Sequence, residues 1–130
     1  MIQRIQSVYW LASVVLLSAV CFLPLFTLEK RNFLTTDCKA LTVTVIIAIA
    51  LSAMNIFFYK NRKLQMRIGY GLLFLHFLMY FFIGAHFHLD GGMKFLPWVV
   101  MPAASLILQF MAIRSVKKDE ALIKSMDRLR

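Results

Sequence analysis

The chain has 130 residues, 61% of them hydrophobic and 16% charged, and a formal net charge of +9. Soluble domains average roughly 45–50% apolar and ~25% charged residues, so a water-soluble globule is excluded: its surface could not hide this much apolar sequence. The length allows one domain, and two cysteines without a Cys-x-x-Cys pair supply no disulfide framework and argue against a disulfide-handling role.

Charges are absent from residues 5–28, 40–59, 68–89 and 95–113, windows of 24, 20, 22 and 19 residues, so all 21 charged residues fall in the other 45 positions. At about 1.5 Å rise per residue, each window can cross the roughly 30 Å hydrocarbon layer as a helix. The windows are continuous apolar runs, not the ten-residue alternations of a membrane β-barrel. The expected fold is an all-α membrane protein: four transmembrane helices in an up-down antiparallel bundle over residues 1–113, then a basic amphipathic cytoplasmic helix over residues 114–130.

The first span, residues 5–28, opens after Arg4. It imitates a signal peptide as far as Ser18-Ala19-Val20-Cys21, but Val20 fits a cleavage site poorly. The chain also stays apolar through Phe22, Leu23, Leu25 and Phe26, so we read an uncleaved span. Pro24 within it predicts a kink or a broken hydrogen bond. The second span, residues 40–59, contains the β-branched run Val43-Thr44-Val45-Ile46-Ile47, a strand former in water. Lipid makes helix the stable choice, because a span must satisfy its own backbone. Ala48 and Ser52, four apart, offer a close-contact face. The third span, residues 68–89, follows a basic loop over residues 60–67. The fourth, residues 95–113, can begin at Pro97 with its missing donor harmless in the first turn, while Pro102 predicts a second kink or broken hydrogen bond. Connections of roughly ten, eight and five residues suit antiparallel neighbours.

Orientation follows from the cations. Arg4, Lys60, Arg62, Lys63, Arg67, Arg114, Lys117, Lys118, Lys124, Arg128 and Arg130 fall on one face, against only Lys30, Arg31, Lys39 and Lys94 on the other. The positive-inside bias therefore puts both termini and the second loop in the cytoplasm. Tyr9, Trp10, Tyr59 and Tyr70 are expected at the cytoplasmic interface and Trp98 at the outer one, where an aromatic body and a polar tip are both satisfied.

Polar residues inside the spans are few. Counting from the flanking cations places Asn55 and Gln109 at similar depth, and Ser13 and His76 at another. The favoured role is hydrogen bonding between helices, worth ~0.6 kcal/mol each, since no charge accompanies them as a substrate path would require. As a haem ligand His76 lacks a second intramembrane histidine on another helix. His86, His88 and Asp90, just before Gly91-Gly92-Met93, could converge where the helix ends, with Cys38 or Met93 as a further ligand. Their spacing matches no zinc or copper pattern, and we read them as interfacial residues at a helix end. No metal and no cofactor is assigned. No Ser-His-acid or paired-carboxylate set falls at a common depth, so no catalytic residue is assigned and the chain is read as non-enzymatic.

The last segment recurs at helical spacing: Val116, Leu122, Ile123, Met126 and Leu129 oppose Lys117, Lys118, Lys124 and Arg128, and Glu120 precedes Lys124 in the favourable i,i+4 order. Such a helix suits an anionic lipid surface or a protein partner. Nucleic acid is not expected, because the basic loop at residues 60–67 has no interleaved aromatic and juxtamembrane cations already have a topological reason.

The chain opens Met1-Ile2-Gln3-Arg4-Ile5-Gln6-Ser7-Val8-Tyr9, carries Asn61-Arg62-Lys63-Leu64-Gln65-Met66-Arg67 in its middle, and closes Lys118-Asp119-Glu120-Ala121-Leu122-Ile123-Lys124-Ser125-Met126-Asp127-Arg128-Leu129-Arg130. In these segments it resembles a Bacteroidota membrane family, domain of unknown function four-two-nine-three. The resemblance implies a four-helix inner-membrane protein and supplies no activity, cofactor or catalytic residue. All three segments face the cytoplasm in the expected topology. The functional expectation is therefore a scaffold or accessory subunit of the bacterial inner membrane. Its contacts with a protein partner, a second copy or lipid would come from Arg4, Lys60, Arg62, Lys63, Arg67, Lys117, Lys118, Lys124 and Arg128. The alternatives are a small transporter or channel, with proton coupling falling on His76, and a metal or redox protein using His76 or His86 and His88.

Overall fold

The computed structural model describes residues 2–28, 31–89 and 94–127. Four helices dominate it: α1 (Ile2–Phe22), α2 (Lys39–Phe57), α3 (Arg62–Leu89) and α4 (Met101–Asp127). All four are long and apolar enough to cross a membrane. Helix α2 shows why lipid overrides propensity. Its β-branched run stays helical, with the Thr44 hydroxyl bonding the Ala40 carbonyl one turn back at 2.8 Å.

Helix ends differ from the charge boundaries, each for a local reason. The span expected over residues 5–28 stops being helical at Phe22, so Pro24 ends the helix instead of kinking it. Proline lacks the N–H a continuing helix needs and pushes Leu23 out of helical geometry. Pro102 produces no kink either: it is the second residue of α4, in the turn where a missing donor costs nothing. Pro97 begins a 3-10 turn (Pro97–Val100) that leads into α4. The eight-residue basic loop expected before the third span is mostly helix. A 3-10 turn (Phe58–Lys60) and Asn61 are all that separate α2 from α3. Asn61 caps α3 by accepting the Leu64 N–H at 3.3 Å, which lets the helix start at Arg62. The segment 114–130 is not a separate helix in its described part, because α4 runs unbroken to Asp127. No glycine or proline lies between Ile113 and Asp127 to end it.

A small sheet qualifies the all-α expectation. Strands β1 (Phe26–Leu28), β2 (Arg31–Phe33) and β3 (Lys94–Phe95) pair in the order β2-β1-β3, both pairings antiparallel. The α1–α2 and α3–α4 connections thus meet in one sheet. Backbone bonds from Leu25 to Phe33 (2.9 Å) and from Leu96 to Leu25 (3.0 Å) extend it, and the Phe26 and Phe33 rings stack at 5.8 Å. A 3-10 turn (Thr35–Asp37) then feeds α2. Thr35 donates to the Val20 carbonyl of α1 at 3.2 Å, and Thr42 Oγ1 lies 2.6 Å from the Thr35 carbonyl.

Helix α1 packs on α2 and α4, and α3 packs on α2 and α4, around one core. Near the sheet this core is apolar: Leu17, Val20, Leu25, Phe26, Leu41, Val45, Ala48, Met79 and Ile83 are buried. Near the α2–α3 turn it is mixed. There Trp10, Leu72, Ala112, Ile113 and Val116 alternate with buried polar side chains. Trp10 is fully buried and not interfacial as expected, whereas Tyr59, Tyr70 and Trp98 are 46%, 48% and 41% exposed. Gly69 explains the room for Trp10. A Cβ at that position would lie 2.7 Å from Ile113 Cγ1 and 3.3 Å from Trp10 Cη2, so only glycine lets α3 approach so closely.

Candidate contact site and the buried polar network

Each helix contributes to a polar network across the core. His76 Nδ1 lies 2.8 Å from the Leu72 carbonyl and its Nε2 2.8 Å from Ser105 Oγ. Ser105 Oγ is 3.0 Å from Ser13 Oγ, and Gln109 Nε2 donates to Ser13 Oγ (2.9 Å) and to Ser52 Oγ (3.2 Å). A carbonyl can only accept, so Nδ1 carries a proton. With a neutral ring, Nε2 then accepts from Ser105. That fixes one direction: Gln109 donates to Ser13, Ser13 to Ser105, Ser105 to His76 and His76 to Leu72. All five side chains are 0% exposed. The arrangement satisfies polar groups that lipid would not, and it locks the rotation of the four helices relative to one another.

Two further links lie toward the α2–α3 turn. Asn55 Nδ2 donates to the Gln65 carbonyl and Gln65 Nε2 to the Asn55 carbonyl, each at 3.3 Å. Gln6 Nε2 donates to Asp119 Oδ2, joining α1 to α4. Among the described residues, Trp10 Nε1, Asn55 Oδ1, Gln65 Oε1, Gln109 Oε1, Asp119 Oδ1 and Arg62 Nη1 are buried without a protein hydrogen-bond partner. These atoms belong to the mixed half of the core and to its margin.

Ser13 and His76, placed at one depth from the sequence, are linked, and Asn55 and Gln109, placed at another, have separate partners. Ser13 reaches His76 through Ser105, and Gln109 bonds Ser13 and Ser52, while Asn55 bonds Gln65. Ser105 had a readable signal, lying four residues before Gln109 on the same helical face. Gln6 had the same kind of signal, a polar residue inside the first charge-free window, whereas Gln65 and Asp119 lie in charged flanks that look solvated in sequence.

The basic residues converge only in part. Lys60, Arg62 and Lys63, at the start of α3, line an open groove of about 460 Å³ with Asn61 and with Glu120, Ile123 and Lys124 of α4. Lys124 Nζ pairs with Glu120 Oε1 at 3.0 Å. Lys117 Nζ sits 5.3 Å from the centre of the Tyr70 ring, in cation–π contact. Arg67 and Lys118 are exposed outside the groove. Arg4 and the pair His86 and His88 lie in α1 and α3 with side chains outside the described set, and Asp90 and Arg128 lie outside the described residues. Beyond the buried Val116 and Asp119, residues 121–126 of α4 are all exposed, with Leu122, Ile123 and Met126 at 45%, 40% and 60%.

No curated protein and no solved structure matches the chain. One family model does, and its match runs over residues 2–129, from the first turn of α1 through the tail of α4. A match of that extent includes every helix, the sheet and the groove, and by it the chain belongs to the family described as domain of unknown function DUF4293.

Proposed function

We propose that this is a non-enzymatic scaffold or accessory subunit of the bacterial inner membrane, an up-down bundle with both termini and the α2–α3 turn in the cytoplasm. It engages a protein partner, another subunit or a second copy, through that cytoplasmic face. The observation that carries this reading is the end of α4. Leu122, Ile123 and Met126 are exposed where α4 extends past its last buried residue, Asp119, next to Lys118 and Lys124. An outward apolar strip edged by cations has no role in holding the chain's own core, and it is the form an interface core with a polar rim takes. The orientation is supported by the distribution of Lys and Arg. In-cell crosslinking from Lys63 and Lys124 tests the reading. We expect a defined protein crosslinked through both sites, and recovery of lipid alone would contradict it.

The hydrogen-bond chain through His76 favours one second reading, a small proton-coupled transporter. Its direction would reverse between His76 and Ser13 on ring protonation. If His76→Ala leaves every flux in proteoliposomes unchanged, that reading fails.

A further inference from the structure

We infer that the groove between the start of α3 and the end of α4 is a binding site for the phosphate of an anionic phospholipid head group. Among the described residues, four cations, Lys60, Arg62, Lys63 and Lys124, line it against one carboxylate, and that carboxylate, Glu120, is occupied by Lys124 at 3.0 Å. Positive charge is therefore left over in a concave site. Arg62 lines the groove, and its guanidinium can give a phosphate charge-assisted hydrogen bonds. The first-turn amides of α3 add the positive end of a 28-residue helix.

The location selects the lipid. Lys60 follows Tyr59, a half-exposed aromatic whose ring lies 6.0 Å from Lys60 Nζ. An aromatic of that kind marks the interface between tails and head groups, so the groove lies at the level of lipid phosphates. At about 460 Å³ it has room for a phosphodiester with its head group. Ile123 in the lining offers an apolar wall to the glycerol side. This site rests on the cytoplasmic contact reading for its side of the membrane and shares Ile123 and Lys124 with the exposed end of α4; its occupant is a lipid, which leaves Leu122 and Met126 to the protein partner.

Native mass spectrometry of the full chain, released from nanodiscs of equal phosphatidylglycerol and phosphatidylcholine, tests it. The wild type is expected to retain phosphatidylglycerol preferentially. Arg62→Gln with Lys63→Gln should reduce that retention by about tenfold or more, on the basis of roughly 1 kcal/mol per basic residue at a membrane surface. Lys117→Gln with Lys118→Gln removes the same charge outside the groove and should stay within about twofold. If the first double variant does not fold, Lys60→Gln and Lys124→Gln, at exposed positions, should each cost severalfold. Equal losses in the two double variants would overturn the proposal in favour of diffuse attraction. So would displacement of the lipid by millimolar inorganic phosphate, which would make a soluble phosphate the occupant. Partner crosslinks through Lys124 are read separately, so a failed lipid preference with those crosslinks intact strikes the groove and spares the scaffold reading.

Discussion

The two halves of this core are held together by different physics. Toward the sheet, Leu41, Val45, Met79 and Ile83 meet Leu17 and Val20, and the buried threonines there donate to backbone carbonyls. Toward the α2–α3 turn, side chains bond side chains across helices, from Gln109, Ser13, Ser105 and His76 to Gln6 and Asp119. Lipid tails compete well with apolar contacts, so shape fit carries the first half, while hydrogen bonds add direction and register in the second. The polar half is also where the basic groove and the exposed strip of α4 lie. The hydrogen-bonded half of the core thus leads directly into the basic groove and the exposed end of α4.

Mutations can break that comparison, and the largest effect belongs to the apolar half. Leu41→Ala should destabilise by about 2 kcal/mol, the low end of the roughly 2–5 kcal/mol seen in soluble cores, because lipid replaces part of the lost contact in the expanded state. Equilibrium unfolding in mixed micelles measures it. Next comes Gly69→Ala, where the new methyl must displace Ile113. A loss of about 1–2 kcal/mol is expected by the same assay. Gly71→Ala, where a Cβ meets nothing within 4 Å, should be neutral or stabilising. Gln109→Ala removes two hydrogen bonds and should cost about 1 kcal/mol, at ~0.6 kcal/mol per bond. A Gln109 effect exceeding that of Leu41 would reverse the ranking of the two halves. Smallest is Glu120→Gln, which unpairs an exposed Lys124 and should change stability by only a few tenths of a kcal/mol.

The spans were legible because charge avoids hydrocarbon so strictly that four windows stand out unaided. Their ends were not. The first window ran on through Leu25 and Phe26, which stay apolar because they join the same buried cluster as Leu17 and Val20 of the helix. Strands of two or three residues carry no alternation for a pattern to detect. The start of α3 was hidden by its own cations, which look like loop until Asn61 is recognised as a cap. Trp10 was misplaced because the same amphipathic ring suits an interface or a core with a glycine opposite, and Gly69 lies 59 positions away in sequence. In the candidate site, Ser13, His76 and Gln109 were visible as rare polar groups in apolar runs. Asp119 and Gln65 were not, since burial of a charged or amide side chain near a span's edge is decided by which helix packs over it.

In the proposed orientation the polar end of the core, with its groove and the exposed end of α4, faces the cytoplasm. Cysteines placed at the exposed positions Thr36 and Ser125, with Cys21 and Cys38 replaced by alanine, read this in intact cells. A membrane-impermeant maleimide should label Thr36→Cys at once and Ser125→Cys only after permeabilisation. Labelling of Ser125→Cys in sealed cells, or of both positions alike, would contradict the account.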